Sequence, residues 1–219
     1  RDRSVSRGLG DVYKRQEMLG VLAIIGVLSI GGIAGYSKAM AKFRVNKTLD
    51  QISMLVMNIR SLYSANINYK GLTDKIAIQM GIIPRDMLPS GTNESTASSI
   101  INAYQGEVRI GSSNIGGTDR SFFIVYSGLT RDACVAIATA DWGSQAGSGL
   151  QSIQIKAATA GTNKAATLKS ASGIPCTANT SAAGTGCHPI DSLPVILSEA
   201  AAECSNTSDS GNEVRWDYY

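Results

Sequence analysis

The chain has 219 residues, enough for one domain with a real core and an additional element. Its formal charge of +3 and 17% charged residues supply no concentrated basic face of the kind phosphate contacts need, which argues against a dedicated nucleic-acid binder. Apolar residues make up 43% but aromatics only 6%, so the core must be built from small and aliphatic side chains, a composition that suits an exported surface protein.

Residues 18–36 (MLGVLAIIGVLSIGGIAGY) contain no charge, and at ~1.5 Å per helical residue the run reaches roughly 28 Å, close to the thickness of a bilayer core. A cleaved signal peptide would be shorter and followed by a break, and a buried soluble helix rarely runs this far without a polar face. After Lys38 the pattern becomes one-sided. Val45, Leu49, Ile52, Val56, Ile59 and Tyr63 follow alternating steps of four and three, the spacing of a single helical stripe. No proline occurs before Pro84, so one helix from about Glu17 to Ser64 is the simplest reading. Its first half is apolar all round and must meet lipid or other subunits. Its second half should lie against a domain.

Residues 66–71 read as a turn, and Thr73 can cap a short helix running to Met80, which Gly81 and Pro84 end. Residues 89–99 are loop. Four stretches, 108–111, 121–126, 150–156 and 214–218, carry β-branched and aromatic residues between turn signals and are predicted strands. A helix over residues 130–140 has Thr130 as N-cap and Asp132 in its first turn. A last helix is expected over residues 193–204, with Asp191 or Ser192 near its start and Pro194 in its first turn. Residues 157–186 are small and aperiodic, a surface excursion.

The four cysteines, Cys134, Cys176, Cys187 and Cys204, form no CxxC pair, which disfavours zinc and favours two disulfides in an oxidising compartment. Of three possible connectivities, Cys134–Cys204 would tie the two late helices together and Cys176–Cys187 would close one Gly/Ala-rich loop. His188 is the only histidine. Although Asp191 lies close by, no nucleophile elbow accompanies it, and a surface histidine is the better reading. Phosphate-binding glycine loops and calcium-loop spacings are also missing, so neither an enzyme nor a cofactor or metal site is expected.

The run Glu17-Met18-Leu19-Gly20-Val21-Leu22-Ala23-Ile24-Ile25-Gly26-Val27-Leu28 resembles the N-terminal signature of type IV pilins and type II secretion pseudopilins, in which one glutamate heads an uncharged helix. A carboxylate there is costly to bury unless something pairs with it. The resemblance implies that the partner is a neighbouring subunit's α-amine, freed by a prepilin peptidase and then N-methylated, which makes Glu17 a docking charge. The plainer alternative is a helix-start residue at the membrane interface. Residues 56–63 (VMNIRSLY), Gly71-Leu72-Thr73, Gly81-Ile82-Ile83-Pro84-Arg85-Asp86-Met87, Asp132-Ala133-Cys134 and the Trp216-bearing stretch after Cys204 are similar to type IVb pilins, and among them to PilS-like thin-pilus pilins of conjugative systems. Related pilins carry a proline in the span. This chain instead has Gly26, Gly31, Gly32 and Gly35, which serve either close helix contact or, at Gly31-Gly32, a weak point that can unwind.

Upstream the likeness fails. Such pilins place a glycine and a Phe- or Met-led tetrapeptide before the glutamate, whereas here Val12 is followed by Tyr13-Lys14-Arg15-Gln16. Residues 1–16 resemble a translated sequencing adapter and are read as a non-native leader, followed by a transmembrane or filament-core half over 17–37 and a globular head over 38–219. The resemblance implies an α+β pilin fold, a long N-terminal helix packed on an antiparallel sheet head with two or three short helices. It also implies a subunit held in the bacterial inner membrane, its head in the periplasm, that polymerises with copies of itself into an extracellular pilus for adhesion, conjugation or surface interaction. Its other partners would be the prepilin peptidase and the assembly machinery. The alternative is a pseudopilin or minor tip subunit of a secretion or DNA-uptake system.

Overall fold

The first helix, α1, runs over Ser6–Leu62 in the computed structural model of the chain, which describes residues 6–115, 118–143, 148–157, 168, 186–207 and 211–219. The helix therefore begins well before the expected Glu17. No proline interrupts residues 6–16, and the two glycines there cost a helix only about 1 kcal/mol each. By contacts the chain divides into two units, Arg1–Phe43 and Arg44–Tyr219.

In the first unit, the side chains from Lys14 onward are exposed almost throughout, including Leu22, Ile25, Leu28 and Ile33. Ser29, in the middle of the uncharged run, donates to the Ile25 carbonyl at 2.7 Å, so its polar group is satisfied within the helix.

In the second unit α1 has one buried face. Ile52, Val56 and Ile59 of the predicted stripe are buried, with Val45, Leu49 and Tyr63 packed at its margin. Leu55, one turn from Ile52 and Ile59, joins them, although the strict four-and-three count passes over it. This face meets the inner side of a six-stranded antiparallel sheet made of β1 (Ile100–Ile101), β2 (Glu107–Ile115), β3 (Thr118–Leu129), β4 (Leu150–Ala157), β5 (Cys187–Pro189) and β6 (Asn212–Tyr218). The spatial order is β1-β2-β3-β6-β4-β5, so the last strand in sequence lies in the middle. Phe122, Ile124 and Tyr126 of β3, Val214, Trp216 and Tyr218 of β6, and Leu150, Ile153 and Ile155 of β4 supply its inner surface. The four predicted strands are present and longer than expected. β1 and β5 had no signal, because two residues and a Cys-His-Pro triplet are too short for any period to show.

Among the described residues this unit also has three short α-helices. Thr73 caps α2 (Asp74–Gln79) by accepting from the Ile76 N–H, and Thr130 caps α3 (Arg131–Ala138) by accepting from the Ala133 N–H, both at 3.3 Å. The last helix, α4, covers only Leu197–Glu203, not residues 193–204. Leu193 precedes a proline and is held extended, so Pro194 falls in the connection after a 3-10 turn at Ile190–Ser192, outside the first turn of the helix.

Candidate functional site

Glu17 sits on an exposed face of α1 and is the only carboxylate between Asp11 and Asp50. The 49 residues from Lys14 to Leu62 include a window of mean hydropathy 2.2, long and apolar enough to cross a membrane, and none of that window is buried within the chain. A Cβ added at Gly26, Gly31, Gly32 or Gly35 would meet nothing within 4 Å, so no contact among the described residues calls for the four glycines. α1 passes through Gly31-Gly32 unbroken, as both readings of that pair require.

The Cys134–Cys204 disulfide is formed, with Cα atoms 5.9 Å apart, and it joins α3 to the end of α4. Both cysteines are fully buried. Cys187 is also disulfide-bonded, and its expected partner, Cys176, lies outside the described residues, as does the predicted excursion apart from residue 157, Leu168 and Gly186.

His188 is not at the surface. It is 5% exposed because β5 presents it to α4, where Nε2 lies 2.6 Å from Glu203 and Nδ1 lies 3.7 Å from Glu199. Glu199 and Glu203 are one helical turn apart and clasp the imidazole between them, and Glu203 also accepts the Gly186 N–H at 3.1 Å. Both ring nitrogens therefore face carboxylates, which makes the histidine a structural tie between β5 and α4. Removing it strands a carboxylate that is itself nearly buried. His188→Ala should lower the stability of the folded unit by about 3 kcal/mol, in the range for breaking a buried pair, as read from the denaturant midpoint. A change under ~1 kcal/mol would show that the clasp contributes little beyond packing.

The outer side of β6 is also closed. Glu213, Arg215 and Asp217 are all buried, and Arg215 bonds Asp217 at 2.7 Å and stacks over the Phe123 ring at 4.3 Å. Leu168 donates to Glu213 and accepts from Arg215, so this charged row is tied to one residue of the stretch predicted to lie at the surface.

On the α2 side, Asp86 takes Lys47 at 3.0 Å and Gln51 at 2.9 Å, both from α1. Partial burial works against its charged form, but these hydrogen bonds outweigh that and hold its carboxyl below the ordinary value. Asp74 goes the other way. Burial raises it, although its oxygens accept the Ile110 N–H at 2.6 Å and meet Arg109 at 2.9 Å.

The long α1 with one buried face, the antiparallel sheet and the bridged α3–α4 pair make up a type IV pilin fold. A crystal structure of a type IVb pilin from Salmonella typhi superposes with a TM-score of 0.51 at 20% identity, covering 79% of this chain and 98% of that one. A crystal structure of TcpA, a type IV pilin from Vibrio cholerae El Tor biotype, matches at 16% identity with a TM-score of 0.49, covering 80% of this chain and 99% of that one. No curated protein matches the chain. The model of the family described as PilS N terminal matches residues 42–186, about two thirds of the sequence. The chain belongs to the PilS family of type IV pilins.

Proposed function

We propose that this pilin is held in the bacterial inner membrane by the apolar half of α1, its head in the periplasm, and polymerises with copies of itself into an extracellular type IVb pilus that serves adhesion, conjugation or surface interaction. The observation that carries the reading is an apolar helical segment, beginning at Met18, with no burial inside its own chain. Such a surface is unstable in water and needs lipid first and other subunits later. Glu17 is the docking charge of this process, and a prepilin peptidase and the pilus assembly machinery are the partners that release and place the subunit. In the bundle, Gly26, Gly31, Gly32 and Gly35 let neighbouring helices approach, and Gly31-Gly32 is the place where α1 can stretch.

Filaments sheared from the source cells should have this chain as their main component by mass spectrometry, and its absence from them would remove the proposal. A density map of the same filaments reads the glycines. Unbroken helical density through Gly31-Gly32 would leave them the packing role alone.

A further inference from the structure

Beyond its uncharged run α1 changes abruptly in charge. Residues 18–49 contain no acid, and their basic residues, Lys38, Lys42, Arg44 and Lys47, all follow Tyr36. From Asp50 onward acids outnumber bases, so this cluster does not belong to a uniformly basic surface. Lys47 is taken by Asp86 at 3.0 Å, and Arg44 opens the second unit. Tyr36, Lys38 and Lys42 belong to the first unit, and all three are exposed, Tyr36 by 66%. Neither lysine has an ion-pair partner among the described residues.

Lysines four positions apart stand on the same side of a helix, where their charges repel, so the pair costs the helix a little unless an anion lies between them. Their height along α1 says which anion is at hand. The uncharged run ends at Tyr36 after roughly 28 Å of helix, about the thickness of the hydrocarbon layer, and at ~1.5 Å per residue Lys38 and Lys42 stand ~3 Å and ~9 Å farther on. The headgroup layer occupies about 5–8 Å beyond the hydrocarbon on each side. Lys38 therefore lies within it, and Lys42 reaches it by bending its apolar stem back towards the run. A tyrosine ring with its hydroxyl prefers the same boundary, and Tyr36 sits there.

We infer that Lys38 and Lys42, with Tyr36 at the hydrocarbon boundary, hold the phosphate group of an anionic phospholipid and so set the depth of the subunit in the membrane. The inference rests on the membrane-anchored reading above and adds the lipid chemistry of the flank nearest the folded unit. Acids on a neighbouring subunit are the competing partners, but nothing in the chain fixes their height, whereas the end of the uncharged run fixes that of the phosphates. Each lysine contributes about five-fold to association with an anionic surface. An attraction of that size is reversible, so a subunit can leave it on extraction.

The test uses the full chain carrying Lys14→Gln and Arg15→Gln, which removes the basic residues at the opposite end of the run. Reconstituted in phosphatidylcholine vesicles with trace spin-labelled phosphatidylglycerol or spin-labelled phosphatidylcholine, it reports through the motionally restricted fraction how strongly each lipid associates. Phosphatidylglycerol should be preferred several-fold, and the preference should shrink in about 1 M salt, where charges are screened within ~3 Å. Lys38→Gln with Lys42→Gln should bring it close to parity while the chain stays in the vesicles. Inorganic phosphate should displace no more labelled lipid than chloride of equal ionic strength. Equal association of the two lipids, a preference unchanged by the two lysine substitutions, or greater displacement by phosphate would each overturn the inference and leave the anchoring intact. Equal association together with loss of filaments in the lysine variant would assign the lysines to a neighbouring subunit instead. Release of the unsubstituted chain from the vesicles by alkaline carbonate would overturn the anchored reading, and this inference with it.

Discussion

Glu17→Ala should abolish surface filaments while leaving the amount of subunit in the membrane fraction unchanged or higher. An ionised carboxylate at the head of an uncharged span is a cost for partition into lipid, of order 2–3 kcal/mol at depth, so its removal favours insertion. What it removes is a partner for a cation. Inside a bundle of apolar helices an amine and a carboxylate attract strongly over a few ångströms, because no water intervenes, and each is penalised if left alone. In the proposed docking role such a pair would fix the axial position of each incoming subunit, and without it the apolar surfaces of α1 could meet in any register. Sheared-filament yield and membrane fractionation, measured on the same cells, separate docking from insertion. Normal filament yield in Glu17→Ala would refute the docking role. Equal loss from membrane and surface would point instead to an unstable subunit.

Loss of the Cys134–Cys204 bridge should have the largest effect on stability. The two cysteines are 70 residues apart in sequence. Closing a loop of that size restricts the unfolded chain by about 4 kcal/mol in the chain-entropy model. For a chain of this length that corresponds to a fall in Tm of roughly 8–16 °C. Cys134→Ala with Cys204→Ala is the suitable pair, because both sites are fully buried and alanine adds no hydroxyl to a dry position. The doubly substituted chain, unfolded by heat and by denaturant, supplies the number. A loss under ~1 kcal/mol would mean that α3 and α4 are held by packing alone.

Much of this architecture was legible in the sequence because its signals are local. The four-and-three spacing from Val45 to Tyr63 marks the buried side of α1, and Thr73 and Thr130 announce their helices through side chains that reach the third residue on. Glu17 stood out because the nineteen residues that follow it, 18–36, carry no charge. The chain order could not show what comes together across long separations. Val214-Arg215-Trp216-Asp217-Tyr218 alternates as though one face met water, yet both faces are closed, since the charges of Glu213, Arg215 and Asp217 are satisfied by one another and by Leu168. His188 looked like a surface residue for the same reason, as its carboxylate partner is supplied by a helix that starts nine residues later. Leu193 and Pro194 misled in another way, because proline is accepted in a first helical turn but here holds the preceding residue extended.

The central place of β6 bears on how the protein is made. Until residues 212–218 are available, β3 and β4 have no strand between them, and the sheet exists only as the β1-β2-β3 and β4-β5 portions. Each portion would then present a raw edge, open to pairing with whatever strand arrives first. Contacts joining β6 to β3 span most of a hundred residues, so a large loop-closure entropy opposes them until the rest of the chain has been drawn together. A chain interrupted anywhere before Asn212 is therefore an unfinished sheet that proteases and chaperones can recognise. The topology makes completion of synthesis a condition of folding, and only finished molecules reach the state in which they could be built into anything larger.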